Sequence, residues 1–351
     1  MKSWDVAIVG GGIIGLSLAR ELRKHSLTVL VVERGEPGRE ASYAAAGMLA
    51  WCDPTFPAPL AALATASAAL YPEFVHELDD ESGLRVDYRS EGTIAFLDSE
   101  PKPLLPCMQA LSTADVARLE PHLGNTMRPA HFLQEAAVDP RTLIDAVFRA
   151  ARHRDVDISS GSAVTEIEVN GTRAIGVKTS RTSFPAGVIV NCSGAWAGAI
   201  PPLSIPTRPV KGQMLSVVPS RRGLIQHVVR APDVYLVPRS DGRIVLGSTL
   251  EEAGFDKSVD ADVIQRMHQA AANLVPELGE ARMLEAWAGL RPGTPDAMPI
   301  LGRTSLENYF VAAGHYRDGI LLAPITAALM SQLIRGVEPE FDLRPFSPGR
   351  F

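Results

Sequence analysis

The residues from Asp5 to Arg34, DVAIVGGGIIGLSLARELRKHSLTVLVVER, leave few options for how this chain begins to fold. An apolar strand, Val6 to Val9, runs directly into Gly10-x-Gly12-x-x-Gly15. An amphipathic helix follows to about Lys24, and a second strand, Thr28 to Val32, ends on Glu33. That order is one complete βαβ unit. Each glycine has a steric task in it: Gly10 makes the tight turn, Gly12 lets backbone approach a pyrophosphate, and Gly15 lets helix and strand pack closely. The helix N-terminus offers unpaired N–H groups and partial positive charge to phosphates. Glu33, eighteen residues beyond Gly15, stands where a carboxylate accepts hydrogen bonds from ribose hydroxyls. The unit therefore predicts an adenine dinucleotide. Arg34 raises the alternative of a 2′-phosphate, which the acid before it outweighs.

A chain of 351 residues buries a large core and is expected to form two lobes. A net charge of −6, with no basic run along the sequence, argues against nucleic acid as the main partner. The apolar run Val6 to Ala19 contains four glycines and falls short of the ~20 residues that span a bilayer, so no membrane span is expected. Cys52, Cys107 and Cys192 are too few and too scattered for a disulfide framework or a metal site. A reducing cytoplasm fits that cysteine usage.

After Glu33 the stretch Ala41 to Gly47 has little bulk apart from Tyr43. Two readings stay open there: backbone running close past a flat ligand, or an alanine-rich helix start. Leu60 to Leu78 reads as a helix, 84–97 as strands, and Thr113 to Leu119 as a short helix. Asp139 is a candidate N-cap for a helix over Arg141 to Arg152, and Asp260 for one over the residues to Leu274. The segment Val156 to Cys192 reads as a β-meander, and 207–250 as strands separated by turns. Strands follow near Arg282 to Leu290 and at Tyr309 to Ala313, then a helix from about Gly319 to Arg335. Pro324, in its second turn, predicts a bend. The expected architecture is a two-lobed α/β and α+β arrangement. A Rossmann-like dinucleotide domain is made of 1–83, 138–206 and 284–351, and an antiparallel β-sheet substrate domain of 84–137 and 207–283. The cleft between lobes is the expected small-molecule site.

Three stretches of the second half carry chemistry. In Trp287-Ala288-Gly289-Leu290-Arg291-Pro292-Gly293, an arginine ends a strand, and its planar fork suits a carboxylate; a structural ion pair is the alternative. Gly314-His315-Tyr316-Arg317-Asp318-Gly319-Ile320 is a strand-to-helix loop with a second arginine, and its helix dipole can favour negative charge on a ligand. His315 reads as a structural, backbone-bonded histidine rather than a base. Alternation along Val234 to Arg239 sets Tyr235 on one face, either toward the cleft or as an ordinary half-buried tyrosine. No Ser/His/Asp set or paired carboxylates stand out, which fits a cofactor that carries the reaction itself.

The segments GGGIIGLSLARELRKHSLTVLVVER, ASYAAAGML, VIVNCSGAWAG, VKGQML, VYLVPRSDGRIVLGST, WAGLRPGTPDAMPILG and AGHYRDGILLAPIT, in this order, resemble the glycine oxidases of thiazole biosynthesis. These belong to the D-amino-acid oxidase family of FAD enzymes, and the resemblance covers nearly the whole chain. It implies FAD, held non-covalently across both lobes. It places Gly10, Gly12, Ile13, Ile14 and Gly15 at the pyrophosphate and Glu33 and Arg34 at the adenosine ribose. Ala41, Ser42, Ala46, Gly47 and Met48 would lie along the cofactor, with Val164 on the adenine side. His315, Tyr316, Arg317, Asp318, Gly319, Ile320 and Leu321 would wrap the isoalloxazine. Arg291 and Arg317 would meet the substrate carboxylate, helped by Tyr235. Related sarcosine oxidases attach flavin through a cysteine near the C-terminus; the last cysteine here is Cys192, which rules that link out. Arg230 to Val234 depart from the histidine-containing pattern of glycine oxidases, and Tyr43 replaces a smaller residue; both changes are expected to alter the pocket. The resemblance implies oxidation of glycine or a small D-amino or N-methyl amino acid by oxygen, in a cytoplasmic enzyme that allows a homo-oligomer. The alternatives are a D-amino-acid dehydrogenase passing electrons to a quinone or carrier, and a non-catalytic FAD-binding subunit.

Overall fold

Trp4–Val9 forms the centre of a sheet in the computed structural model, which describes residues 2–99, 105–124 and 128–351. It pairs in parallel with Val29–Val32 on one side and with Ser183–Asn191 on the other. Tyr309–Ala313 extends the sheet in parallel from Ser183–Asn191. These strands read as unbroken apolar runs because helices cover the sheet, as parallel sheets require. The stretch 156–192 is not one continuous meander. Asp157–Ser159 leaves it and pairs in parallel with Val29–Val32 at the far edge, while Val164–Asn170, Arg173–Thr179 and Ser183–Asn191 make the antiparallel run.

The helices Ile13–Arg23, Ala58–Ser82, Pro140–His153 and Gly319–Ile334 share one apolar core with this sheet. Asp139 caps the third of them, accepting the Arg141 N–H at 2.9 Å. Arg20, nearly fully buried, ties the first two helices together: its Nε donates to Glu81 at 2.6 Å and its Nη2 to Glu77 at 2.7 Å. Burial opposes the Glu81 charge, but hydrogen bonds from Arg20 and Arg154 prevail and hold its carboxyl down to about 2. The tie is therefore complete at neutral pH and is lost only as pH falls through that value. Pro324 lies within an unbroken helix. Its missing N–H leaves the Ile320 carbonyl without a helical partner, and the Tyr71 hydroxyl supplies one at 2.6 Å.

A second sheet runs in the order Arg282–Gly293, Arg208–Val218, Ile244–Gly247, Tyr235–Pro238, Val228–Arg230, Thr93–Phe96, Ala130–Leu133 and Met108–Leu111. Neighbours are antiparallel except Val228–Arg230 beside Thr93–Phe96. Residues 284–293, expected with the first lobe, are hydrogen-bonded into this sheet along Arg208–Val218. One face packs on the helix Ala261–Leu274, which Asp260 caps. The other face turns Met214, Tyr235, Val237 and Trp287 toward Ala46, Met48 and Ala137.

The cysteine expectation needs correction as well: Cys52 and Cys107 form a disulfide, with Cα atoms 6.1 Å apart. The two stretches meet around Ala95, Met108 and Leu133, a convergence that a separation of 55 residues conceals. Cys192 is buried and unpaired. Among the described residues, no helix is long and apolar enough to cross a membrane.

Candidate active site

A cavity of about 590 Å³ lies between the ends of the parallel strands and the inner face of the second sheet. At one end, Gly10, Gly12, Ile13 and Ile14 line it. Gly10 has φ +107°, and a Cβ there would stand 2.5 Å from the Cys192 carbonyl oxygen. A Cβ on Gly15 would stand 2.0 Å from the Gly10 carbonyl oxygen, so this glycine packs helix on strand and does not itself line the cavity. Gly12 begins the helix and brings no side chain of its own, and the Ile13 N–H is taken by the Ser42 hydroxyl at 2.9 Å. Glu33 also lines the cavity, its carboxylate accepting the N–H groups of Gly11 at 2.7 Å and Gly35 at 2.9 Å. Arg34 lies flat over the Trp196 ring at 3.5 Å and pairs with Glu40 at 2.5 Å. On its other side Trp196 meets Phe255, with ring centroids 5.1 Å apart.

Of the two readings of the small-residue stretch, the helix start is present: Ala41–Ala44 is a short helix, and the residues from Ala44 to Met48 line the cavity. Small side chains are needed because neighbouring strands press from behind: a Cβ on Gly289, in the second sheet, would stand 2.4 Å from that of Ala44, and one on Gly47 1.9 Å from the carbonyl oxygen of Val138, whose strand Ala136–Val138 forms a small three-stranded sheet with Met48–Leu49 and Tyr88–Arg89. Trp287 Nε1 and Arg239 Nη2 hold the carbonyls of Ala44 and Ala46 at 3.1 and 2.5 Å. Tyr43 turns away from the cavity to meet Arg39 and Arg141, so it does not alter the lining.

At the other end the strands bring Arg291 and Tyr235 together. Arg291 reaches across Gly212, donating through Nη2 to Ser248 Oγ at 2.7 Å and through Nη1 to the Thr249 carbonyl at 3.1 Å. The Tyr235 hydroxyl lies over Gly247 and beside Ser248 and Arg291. Enclosure raises its pKa, which keeps the phenol a neutral donor. Arg317 sits at the mouth, half-exposed, 3.7 Å from Asp53. His315 is buried, its Nε2 bonded to the Thr326 hydroxyl at 3.1 Å; burial pushes it down to about 3, so it stays neutral. It is thus held by a side chain rather than by backbone. Burial pushes the Asp318 carboxyl up to about 7.

The profile of FAD dependent oxidoreductases (DAO) matches residues 5–333. The chain belongs to this family. A glycine oxidase of Pseudomonas aeruginosa is 33% identical over 98% of this chain and 98% of its own. The crystal structure of glycine oxidase from Geobacillus kaustophilus superposes with a TM-score of 0.95 at 33% identity, covering 100% of both chains. A bifunctional protein ThiO/ThiG of Synechocystis sp. is 37% identical; the chain spans 54% of its length.

The cavity fits the FAD of this family. A helix start opened by Gly12, a wall of small residues and an acid at the end of the second strand lie along one continuous groove. Of the residues singled out in the sequence, Ala41, Ser42, Ala46, Gly47, Met48, Val164 and those from His315 to Ile320 line it, as do Arg291 and Tyr235. Leu321 does not; it is buried in the helix core. Tyr316, at φ +48°, and Gly314, at φ +72°, make the tight loop that presents this run. Sequence reasoning assigned no role to Gly212, Ser248 or Arg239, and named Arg230 only as the start of a stretch expected to alter the pocket. Only the position of Ser248, one residue beyond an apolar strand, hinted at an exposed hydroxyl.

Proposed function

We propose that this enzyme oxidises glycine and small D-amino or N-methyl amino acids: glycine, oxygen and water give glyoxylate, ammonia and hydrogen peroxide. The observation that carries the reading is the Arg291 fork, fixed by Ser248 and Thr249 beside the Tyr235 hydroxyl and facing the cavity. Two nitrogens on a rigid plane hold a substrate carboxylate bidentately, and the phenol adds a third donor. This fixes the Cα position, and orientation of that kind supplies much of an enzyme's rate. Arg230, Arg291 and Arg317 all line the cavity; their positive field favours the neutral amine of a bound amino acid, the form that can be oxidised. Neutral, tethered His315 takes no proton from it. When bound, FAD supplies the two-electron acceptor.

The test follows the flavin band of the purified protein without oxygen as glycine, sarcosine, D-alanine and D-proline are added in turn. Bleaching by at least one, with colour and peroxide returning on admission of air, is the expected result. A band unchanged by all of them overturns the reading.

Gly212→Ala probes the anchor without removing it. The new Cβ would stand 2.2 Å from Arg291 Nη1, so the guanidinium has to move. KM for glycine is expected to rise about tenfold, the scale of one weakened charge-assisted hydrogen bond, with flavin content unchanged. An unaltered KM would show that Arg291 does not hold substrate in the observed pose.

A further inference from the structure

We propose that Arg230 forms a second anion-binding corner of this cavity, and that the substrates include amino acids carrying a second carboxylate. This rests on the amino-acid-oxidising reading above and names a substrate class for the same site.

The strand register puts Arg230 where such a group would reach. Arg230 is the cross-strand partner of Tyr235, so both side chains rise from the same face of the sheet. Tyr235 leans the other way, over Gly247 toward Ser248 and Arg291. The α-carboxylate anchor and Arg230 therefore flank the tyrosine on opposite sides, and both line the cavity.

Arg230 is only partly committed to the protein. Its Nη2 meets the two carboxylate oxygens of Glu135 at 3.3 Å each, beyond the usual span of an N–H···O bond. Its Nε is buried with no hydrogen-bond partner, so of its five donors those open to a ligand are on Nη1 and Nη2, on a side chain that is 22% exposed. Glu135 has other partners: the Cys52 N–H at 3.1 Å and the Thr93 hydroxyl. Burial pushes the Glu135 carboxyl upward against the pull of Arg230. Asp53, one of four acids lining the cavity among the described residues, lies 3.7 Å from Arg317. A loosely paired cation on a cavity wall lacks a close counter-charge until a ligand supplies one. A monoacid such as glycine has nothing to offer it; a diacid does.

The test compares kcat/KM of the holoenzyme for glycine with that for D-aspartate, D-glutamate and iminodiacetate, in the parent and in Arg230→Gln and Arg230→Lys. The expected result is oxidation of at least one diacid, with the diacid-to-glycine ratio falling about tenfold to a hundredfold in Arg230→Gln. The fall should be carried by KM, and lysine should restore part of it. If Arg230→Gln fails to fold because Glu135 is left buried alone, the double variant with Glu135→Gln removes that charge and gives the same ratio. Oxidation of glycine with no diacid oxidised, or a ratio unmoved by Arg230→Gln, overturns the proposal and leaves the glycine reading intact. Flavin reduction by a diacid but not by glycine overturns the glycine reading and supports this one.

Discussion

Arg291→Ala should lower kcat/KM for glycine by about a thousandfold, or about 4 kcal/mol of transition-state binding, the upper range for truncating one partner of a desolvated charge pair. The size follows from what the substrate offers. Glycine has one anionic group and no side chain, so nearly all of its orientation must come through the carboxylate. The fork that holds it is already fixed by Ser248 and Thr249, so little entropy is lost on binding. FAD should be retained, because those contacts belong to the second sheet and none touches the Gly10–Gly15 turn. Arg291→Lys should fall between the two, since an ammonium keeps the charge and loses the planar pair of donors. Steady-state peroxide production together with the flavin spectrum checks all of this. A loss below about threefold would leave Tyr235 and Arg317 as the anchors and remove Arg291 from the role.

The elements that could be read from the sequence are those whose signals are local. The Gly10–Gly15 turn is flanked by an apolar strand and a helix, and Glu33 falls at a fixed distance; sterics alone assign them. Asp139 and Asp260 cap helices as expected because a cap is decided within three residues. The strands Arg208–Val218 and Tyr309–Ala313 follow from short apolar stretches bounded by turn residues. What stayed hidden depends on pairing between distant segments. Nothing near Asp157 tells that it will cross to the edge beside Val29–Val32. The residues 284–293 join the second sheet through register with Arg208–Val218, not through composition. Cys52 and Cys107 are brought together by strands from three separate stretches. The site divides the same way. Arg291 and Tyr235 have side chains whose chemistry suggests a role within their motifs, whereas Arg239, in the same motif as Tyr235, and Arg230 look like ordinary strand-end arginines until the sheet buries the first and sets the second toward the cavity.

Arg239→Leu should cost about 3 kcal/mol of stability and weaken FAD binding at least about tenfold, the measure of buried carbonyls left without donors. The guanidinium is 4% exposed and donates to the Val138 carbonyl at 3.0 Å and the Ala46 carbonyl at 2.5 Å. Burial lowers its pKa, so removing the charge recovers some desolvation energy. That gain is the smaller effect, because the two carbonyls cannot be removed with it. The neighbouring acids are otherwise served: Asp139 by Arg243 at 2.9 Å, and Asp87 by the Ser240 N–H at 3.0 Å. The consequence for the cofactor follows from peptide geometry. In a trans peptide the C=O and the next N–H point oppositely, so drawing the Ala46 oxygen toward Arg239 turns the Gly47 N–H toward the cavity it lines. Losing that pull frees the stretch Ala46 to Met48 to rotate. Arg239→Lys should rescue only part of the loss, since one ammonium does not reproduce a fork spanning two carbonyls. FAD titration of the apoprotein, with thermal unfolding alongside, measures both effects. Unfolding that shifts while FAD affinity stays constant would make Arg239 a strut for the paired strands Met48–Leu49 and Ala136–Val138 alone; a fall in both places the flavin wall under its control.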